Sequence, residues 1–319
     1  MLRRLLPLTA LLLLAACAGA PSGRHPDVTV PTPTWAPAPA TSPAGTTAPA
    51  PASPTGVAVA GDVAVISDRA ASVALADVPV PGTPRGVVAA PGGGFRIVAG
   101  AAVLDRPAGA AALRSWPLPA EGGAIAVPHE GDWTAVALPD RGDVVILSAT
   151  GAVQRTIHTG GRPSALAADE SRLAVLDFGE SSITVFDAAS GARQEALRAG
   201  DGAVAVVAAG RGRFAVVDGR DGELLVYDTG PLLLRQRYPV KGGAWAAAAD
   251  PGRGVVWVTL TQRNEVVGFD LGGGAPREIG RHPTVRLPLA VAVEARTGAV
   301  VVAGTDAGGA EGLVQRISA

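Results

Sequence analysis

The sequence predicts an all-β fold: a seven-bladed β-propeller of four-stranded antiparallel blades, preceded by a signal peptide and a disordered Pro/Ala-rich tether. Three observations carry that expectation. Strand-like apolar runs recur at steps near forty residues. Gly, Asp and Pro turns separate them. After the first sixteen residues no segment has the length and period of an amphipathic helix.

Residues 1–16 read MLRRLLPLTALLLLAA. Arg3 and Arg4 form a positive head, and the apolar run from Leu5 to Ala16 is too short to span ~30 Å of hydrocarbon, so the segment predicts a secretory signal. The next four-residue window, Leu14-Ala15-Ala16-Cys17, resembles the bacterial lipobox. That resemblance implies an acylated Cys17 as the new N-terminus, membrane lipid as a partner, and an exported chain held on the extracytoplasmic face. Ordinary signal cleavage with an incidental cysteine is the plainer alternative. Cys17 is the only cysteine, so lipidation leaves no disulfide, zinc-thiolate site or catalytic thiol. Removing the two arginines with the signal takes the formal charge from −1 to −3, which argues against nucleic acid as a partner. A monomer is expected.

Residues 17–54 are dominated by Pro, Ala, Ser and Thr. Proline excludes helix interiors and central strands, so this stretch predicts a disordered spacer. At ~3.1 Å per residue it reaches on the order of 100 Å when extended. Asp27-Val28-Thr29-Val30 is an isolated strand-like exception.

From 55 to 319 the character changes to short Val-, Ala-, Leu- and Ile-rich runs. With the second strand of each unit as ruler, copies begin at Ala64, Arg96, Ala135, Ala174, Ala215, Val256 and about Val300. Each has four strand-like runs, the content of a propeller blade. A single four-stranded blade has two apolar faces and buries neither alone; seven packed radially bury both and close a ring. The inner strands need small side chains where blades converge, and GVAV, GVVA, AIAV, SALA, VAVV, AAAA and LAVAV supply them.

The clearest unit runs from Gly160-Gly161-Arg162-Pro163 through Ser164-Ala165-Leu166-Ala167 to Ile183-Thr184-Val185-Phe186-Asp187 and Gly191. It resembles the YVTN-type β-propeller repeat, and Val226-Tyr227-Asp228 and Gly268-Phe269-Asp270 repeat its last element. The resemblance is strongest over residues 120–280. The YVTN tetrapeptide is absent, AVLD, AVVD and VWVT standing in its place, so an NHL- or WD40-like label stays open. The last unit stops after its third strand, and Val28–Val30 or the region near Val57 is expected to supply the fourth.

In such a meander the loop leading into strand one and the loop joining strands two and three share a face. The first set is expected to contribute Arg85, His158, Arg162, Lys241, His282 and Arg286, and the second Asp177, Asp218, Arg263 and Asn264 among others. With Trp245, at the start of an inner strand, the residues Arg85, His158, Arg162, Asp177, Asp218, Lys241, Arg263 and His282 make the candidate ligand-binding face. For each, ordinary loop solvation is the bland alternative, and for Trp245 blade-interface packing. Asp187, Asp228 and Asp270 are expected to hold turns by accepting backbone hydrogen bonds.

No catalytic set emerges. The four histidines lack metal-ligand spacing, and the GGG runs at 92–94 and 272–274 are turns between strands rather than phosphate loops. No cofactor is expected. Asp177, Asp218 and Asn264 are a weak oxygen-donor set of the kind Ca²⁺ takes. Two functions follow: a membrane-anchored binding or scaffolding propeller for an envelope protein, peptide or small molecule, or a propeller hydrolase or lactonase with a metal at the channel mouth.

Overall fold

The computed structural model describes residues 31–73, 76–110 and 112–318. Cys17 and Val28–Val30 lie outside the described residues. Among those described, seven four-stranded antiparallel sheets stand in order along the chain, and the one helical element is a 3-10 turn at Pro139–Arg141. The inner strands are Pro54–Ala60, Pro84–Ala89, Ile125–Ala126, Pro163–Asp169, Ala203–Ala208, Ala244–Asp250 and Arg286–Val293, defining blades 1 to 7. The second strands are Asp62–Ser67, Gly94–Ala99, Thr134–Leu138, Arg172–Asp177, Arg213–Asp218, Val255–Leu260 and Val300–Thr305. Every one contains the ruler residue chosen from sequence.

The radial logic is visible in the core. Each pair of neighbouring blades encloses its own cluster of buried apolar side chains. Leu176 and Val185 of blade 4 meet Val206 and Phe214 of blade 5, and Val301 and Ala303 of blade 7 meet Val57 and Val65 of blade 1. The ring is closed. One interface also holds a buried charge: Arg96 of blade 2 pairs with Asp105 at 3.2 Å, donates to Thr134 of blade 3 at 2.6 Å and lies over Trp116.

Closure differs from expectation. The fourth strand of blade 7 is Thr46–Ala50, with Thr46 opposite Arg316 and Ala50 opposite Gly312. It lies inside the stretch read from sequence as spacer. Val57, the other expected source of that strand, belongs to the inner strand of blade 1. Proline hid the true strand: Pro49 is barred from a central strand but tolerated on an outermost one, whose outward edge needs no donor. The seal is specific. Gln315, fully buried, accepts from the Val285 amide and donates to the carbonyls of Ala44 and Pro283. Gly45 adopts a φ of +72°, and a Cβ there would sit 2.1 Å from the Arg316 carbonyl oxygen.

The chain before this strand is also bound. The face carrying the loops between second and third strands is termed the top. Pro37 and Ala36 give their carbonyls to Asn264 (3.0 Å) and Arg286 (3.1 Å), and Trp35 stacks against the Arg286 guanidinium. Pro31 comes close to Gly202, in the loop leading into the inner strand of blade 5. Residues 31–37 therefore form a strap over the tops of blades 5, 6 and 7.

Candidate functional site: the top face and the groove between blades 3 and 4

Hydrogen bonds across the top join the two sets of loops that strand parity places together. The Arg162 guanidinium donates to Asp140 at 2.9 Å, and Lys241 Nζ to the Asp221 carbonyl at 2.8 Å. Arg263 packs its stem across Gly242.

A repeated irregularity sets what points at the mouth. Six of the seven inner strands carry a register shift at their top end, between Pro54 and Gly56, Pro84 and Gly86, Pro163 and Ala165, Ala203 and Ala205, Ala244 and Ala247, and Arg286 and Ala290. Such a bulge re-aims the unpaired residue away from the neighbouring sheet. Arg85 and Trp245 occupy two of these positions, and Arg85 is exposed and Trp245 half-buried.

Two expected positions are corrected. His158 ends the outer strand Val153–His158 of blade 3, and His282 lies in the outer strand Arg277–Pro283 of blade 6. Both stand at the rim rather than in loops leading to the mouth. Polar outer strands lack the alternation that marks a half-buried strand, so their ends read as loop. His282 lies against Trp257, ring centroids 5.7 Å apart.

The acidic candidates hold turns. Asp177 accepts from the amides of Arg162 (2.6 Å) and Glu180 (3.0 Å). Asp218, with no exposed surface, accepts from the amides of Asp201, Arg220 and Asp221 at 2.7–3.0 Å. Asn264 is equally committed, its Oδ1 accepting from the Leu287 amide while Nδ2 holds Pro37. The three residues thus spend their polar atoms on the protein's own backbone, within their turns and across to neighbouring segments, and the acidic neighbours of Asp218 are Asp221 and Glu223. On the opposite face the expected turn role appears at Asp187, which accepts from Ser190, and at Asp270, which accepts from Gly272; in both, these bonds lead in holding the carboxyl below its usual range. Asp228 instead pairs with Arg213 and Arg235.

The structure does gather three of the sequence candidates, His158, Arg162 and Asp177, around one groove. Two concavities of about 650 and 550 Å³ adjoin at Gly160 and Gly161, between blades 3 and 4. The first is lined by Asp140, Arg141, Asp143, His158 and Arg162. The second runs outward along blade 4 past Asp177, Glu180, Ser182, Thr184 and Arg193. Gly161 is required here: a Cβ would fall 1.7 Å from Asp177 Oδ2. At the rim, His158 Nδ1 donates to Asp143 at 2.6 Å; the imidazole side chain is 82% exposed and the carboxylate 4%.

Sequence reasoning missed Asp143, Arg193 and the hydroxyls of Ser182 and Thr184. A signal for the first existed in repeat phase. The acid opening the third strand recurs as Glu223 and Glu265, braced by Arg237 and Arg281 of their outer strands, and Asp143–His158 is the blade 3 version.

No family model matches the chain, and no curated protein does. Solved structures do. Hydrazine synthase from Kuenenia stuttgartiensis superimposes with a TM-score of 0.68 at 13% identity, over 84% of this chain and 96% of that one. Virginiamycin B lyase from Staphylococcus aureus gives 0.67 at 12%, over 85% and 99%. A streptogramin B lyase gives 0.64 at 13%, over 86% and 96%. At these identities the similarity establishes the fold: a seven-bladed propeller like that of the lyases.

Proposed function

We propose that this chain is an exported lipoprotein, anchored through acylated Cys17, whose propeller binds an envelope protein or peptide in the groove between blades 3 and 4. One observation carries the binding half. The groove places cationic Arg141, Arg162 and Arg193, anionic Asp177 and Glu180, and the hydroxyls of Ser182 and Thr184 around two adjoining concavities. Mixed charge with interleaved hydroxyls suits a polypeptide, which offers both signs and a hydrogen-bonding backbone. The anchor half rests on the lipobox-like Leu14–Cys17 window. A photo-crosslinking residue at Thr184, in cells, tests the site: a discrete adduct that disappears in the Arg162→Glu/Arg193→Glu variant supports it. Adducts at Arg85 but none at Thr184 move the site to the mouth.

A hydrolase or lyase reading has one specific support, the Asp143–His158 pair. A buried carboxylate holding Nδ1 leaves Nε2 out of that bond, on a residue that lines the cavity, as a general base requires. Turnover of an ester or lactone that is lost in His158→Gln, with folding retained, would favour it. The metal-centred version has less support, since the oxygens of Asp177 and Asp218 are already taken up by amides.

A further inference from the structure

The repeat breaks inside the groove. Counted from the top, the third strands of blades 3, 5 and 6 open on an acid, Asp143, Glu223 and Glu265. Two residues later they carry a buried Val145, Leu225 or Val267. Blade 4, in the same phase, has Ser182 and Thr184, both half-buried. Its outer strand changes with them. Opposite the apolar position stand Thr156, Arg237 and Arg281 in the other three blades, and Ala196 in blade 4. Three short side chains thus hollow one column of blade 4, and all three line the concavity of about 550 Å³.

The base that braces the acid elsewhere is still present. His158 holds Asp143, Arg237 holds Glu223 and Arg281 holds Glu265. In blade 4 Arg198 stands opposite Ser182, as His158 stands opposite Asp143, and it lines the same concavity. With no acid opposite it, Arg198 pairs with Asp201 of the following loop at 3.0 Å, an exposed contact of the kind that contributes little. Asp201 also holds Arg220 at 3.1 Å, so losing Arg198 leaves it paired. Arg193, at the other end of the same outer strand, makes no ion pair among the described residues and lines the concavity too.

Asp177 and Glu180 share this concavity, and blade 5 shows how an added carboxylate sits beside such acids. There Asp218, the counterpart of Asp177, has an oxygen within 4.8 Å of Glu223, which Arg237 holds at 2.8 Å. The fold sustains a carboxylate next to the turn acid when a guanidinium braces it.

Resting on the groove proposed above as a polypeptide site, we infer that the hollowed column of blade 4 seats an acidic side chain of the bound partner. The partner's carboxylate takes the place of the missing acid. Arg198 donates to it through the guanidinium fork, and the hydroxyls of Ser182 and Thr184 supply further donors. The partner segment is therefore acidic, with Arg193 as a second positive contact along it.

The test selects phage-displayed random decapeptides on the full chain, and compares Ser182→Glu, which restores the repeat's acid and fills the seat. Peptides enriched on wild type are expected to carry Asp or Glu in excess of the library and to lose binding to Ser182→Glu. Made as free peptides, they should bind Arg198→Gln about tenfold more weakly, and so should their Glu→Gln copies bind wild type. Arg237→Gln, on blade 5, should leave binding unchanged. Ser182→Glu is expected to melt no lower than wild type, and Arg198→Gln, at an exposed residue, reads the seat independently of it. Peptides that lose binding in Arg162→Glu/Arg193→Glu, yet show no excess of acid or bind Ser182→Glu as well as wild type, overturn the acidic seat alone. A phosphoserine copy that outbinds the Glu original gives the seat to phosphate and overturns the carboxylate. No enrichment, or binding that survives Arg162→Glu/Arg193→Glu, overturns the groove as a polypeptide site and the seat with it.

Discussion

The side-chain amide of Asn264 donates to the carbonyl of Pro37, 227 residues earlier in the chain, at 3.0 Å, while its oxygen accepts from Leu287. One buried residue thus pins the strap to blade 6 and blade 6 to blade 7. Asn264 also sits at a φ of +54°, a conformation Asn tolerates better than most residues. Asn264→Ala is expected to lose both bonds and add backbone strain, about 2–4 kcal/mol in urea unfolding. Asn264→Gly removes the strain component and isolates the hydrogen bonds. Both variants should speed proteolytic cleavage between residues 31 and 44.

Asp218 separates a structural carboxylate from a metal ligand. Its oxygens meet three backbone amides in a site without solvent. Asp218→Ala leaves those amides unpaired and is expected to cost about 2–4 kcal/mol. Calcium or a chelator should leave the melting temperature of wild type and variant unchanged. A calcium-dependent rise in wild type, lost in Asp218→Ala, would restore the metal-site reading.

The Arg96–Asp105 pair lies between blades 2 and 3, with side chains only 6% exposed. Breaking such a pair from one side leaves an uncompensated charge, so Asp105→Ala is expected to cost about 3–5 kcal/mol in denaturant. Replacing both partners with apolar residues of similar volume, Arg96→Met with Asp105→Leu, should be far milder. Their double-mutant cycle measures the coupling.

Acid should weaken the fold. Asp187, Asp270, Glu278, Glu294 and Asp306 all have carboxyls held below their ordinary values, led respectively by bonds from Ser190, the Gly272 amide, Arg281, Thr297 and the Glu311 amide. Depressed native values contribute stability that is present above the unfolded value, near pH 4, and is lost as pH falls through the native ones. Asp169, raised chiefly by burial, works the other way and offsets part of this. Melting temperature measured from pH 6 to pH 2 is expected to fall most steeply below pH 4.

The blades were legible because their inner and second strands are buried and apolar, so the repeat survives as hydrophobicity at Ala174, Ala215 and Val256. The outer strands were not, since one edge and much of one face meet water: VQRTIH and REIGRHP carry no alternation. That is why His158 and His282 read as loop residues. Thr46–Ala50 was invisible for a related reason, being an outermost strand whose partner is at the other end of the chain. The groove was half legible. Arg162 and Asp177 announce themselves in the strongest repeat, but the pairing of His158 with Asp143 depends on cross-strand register, which loop-like sequence does not disclose.

Because Thr46–Ala50 pairs with Gly312–Ile317, the circle is shut by the first and the last of the described strands. A chain emerging head-first must hold its opening strand idle until almost every other residue has been delivered. Bringing those ends together across about 265 residues costs on the order of 5 kcal/mol in loop entropy. Final consolidation is thus a late, slow event that follows synthesis of nearly the whole propeller, and any early stop in synthesis leaves an unsealed edge strand, the kind of surface that pairs with other chains.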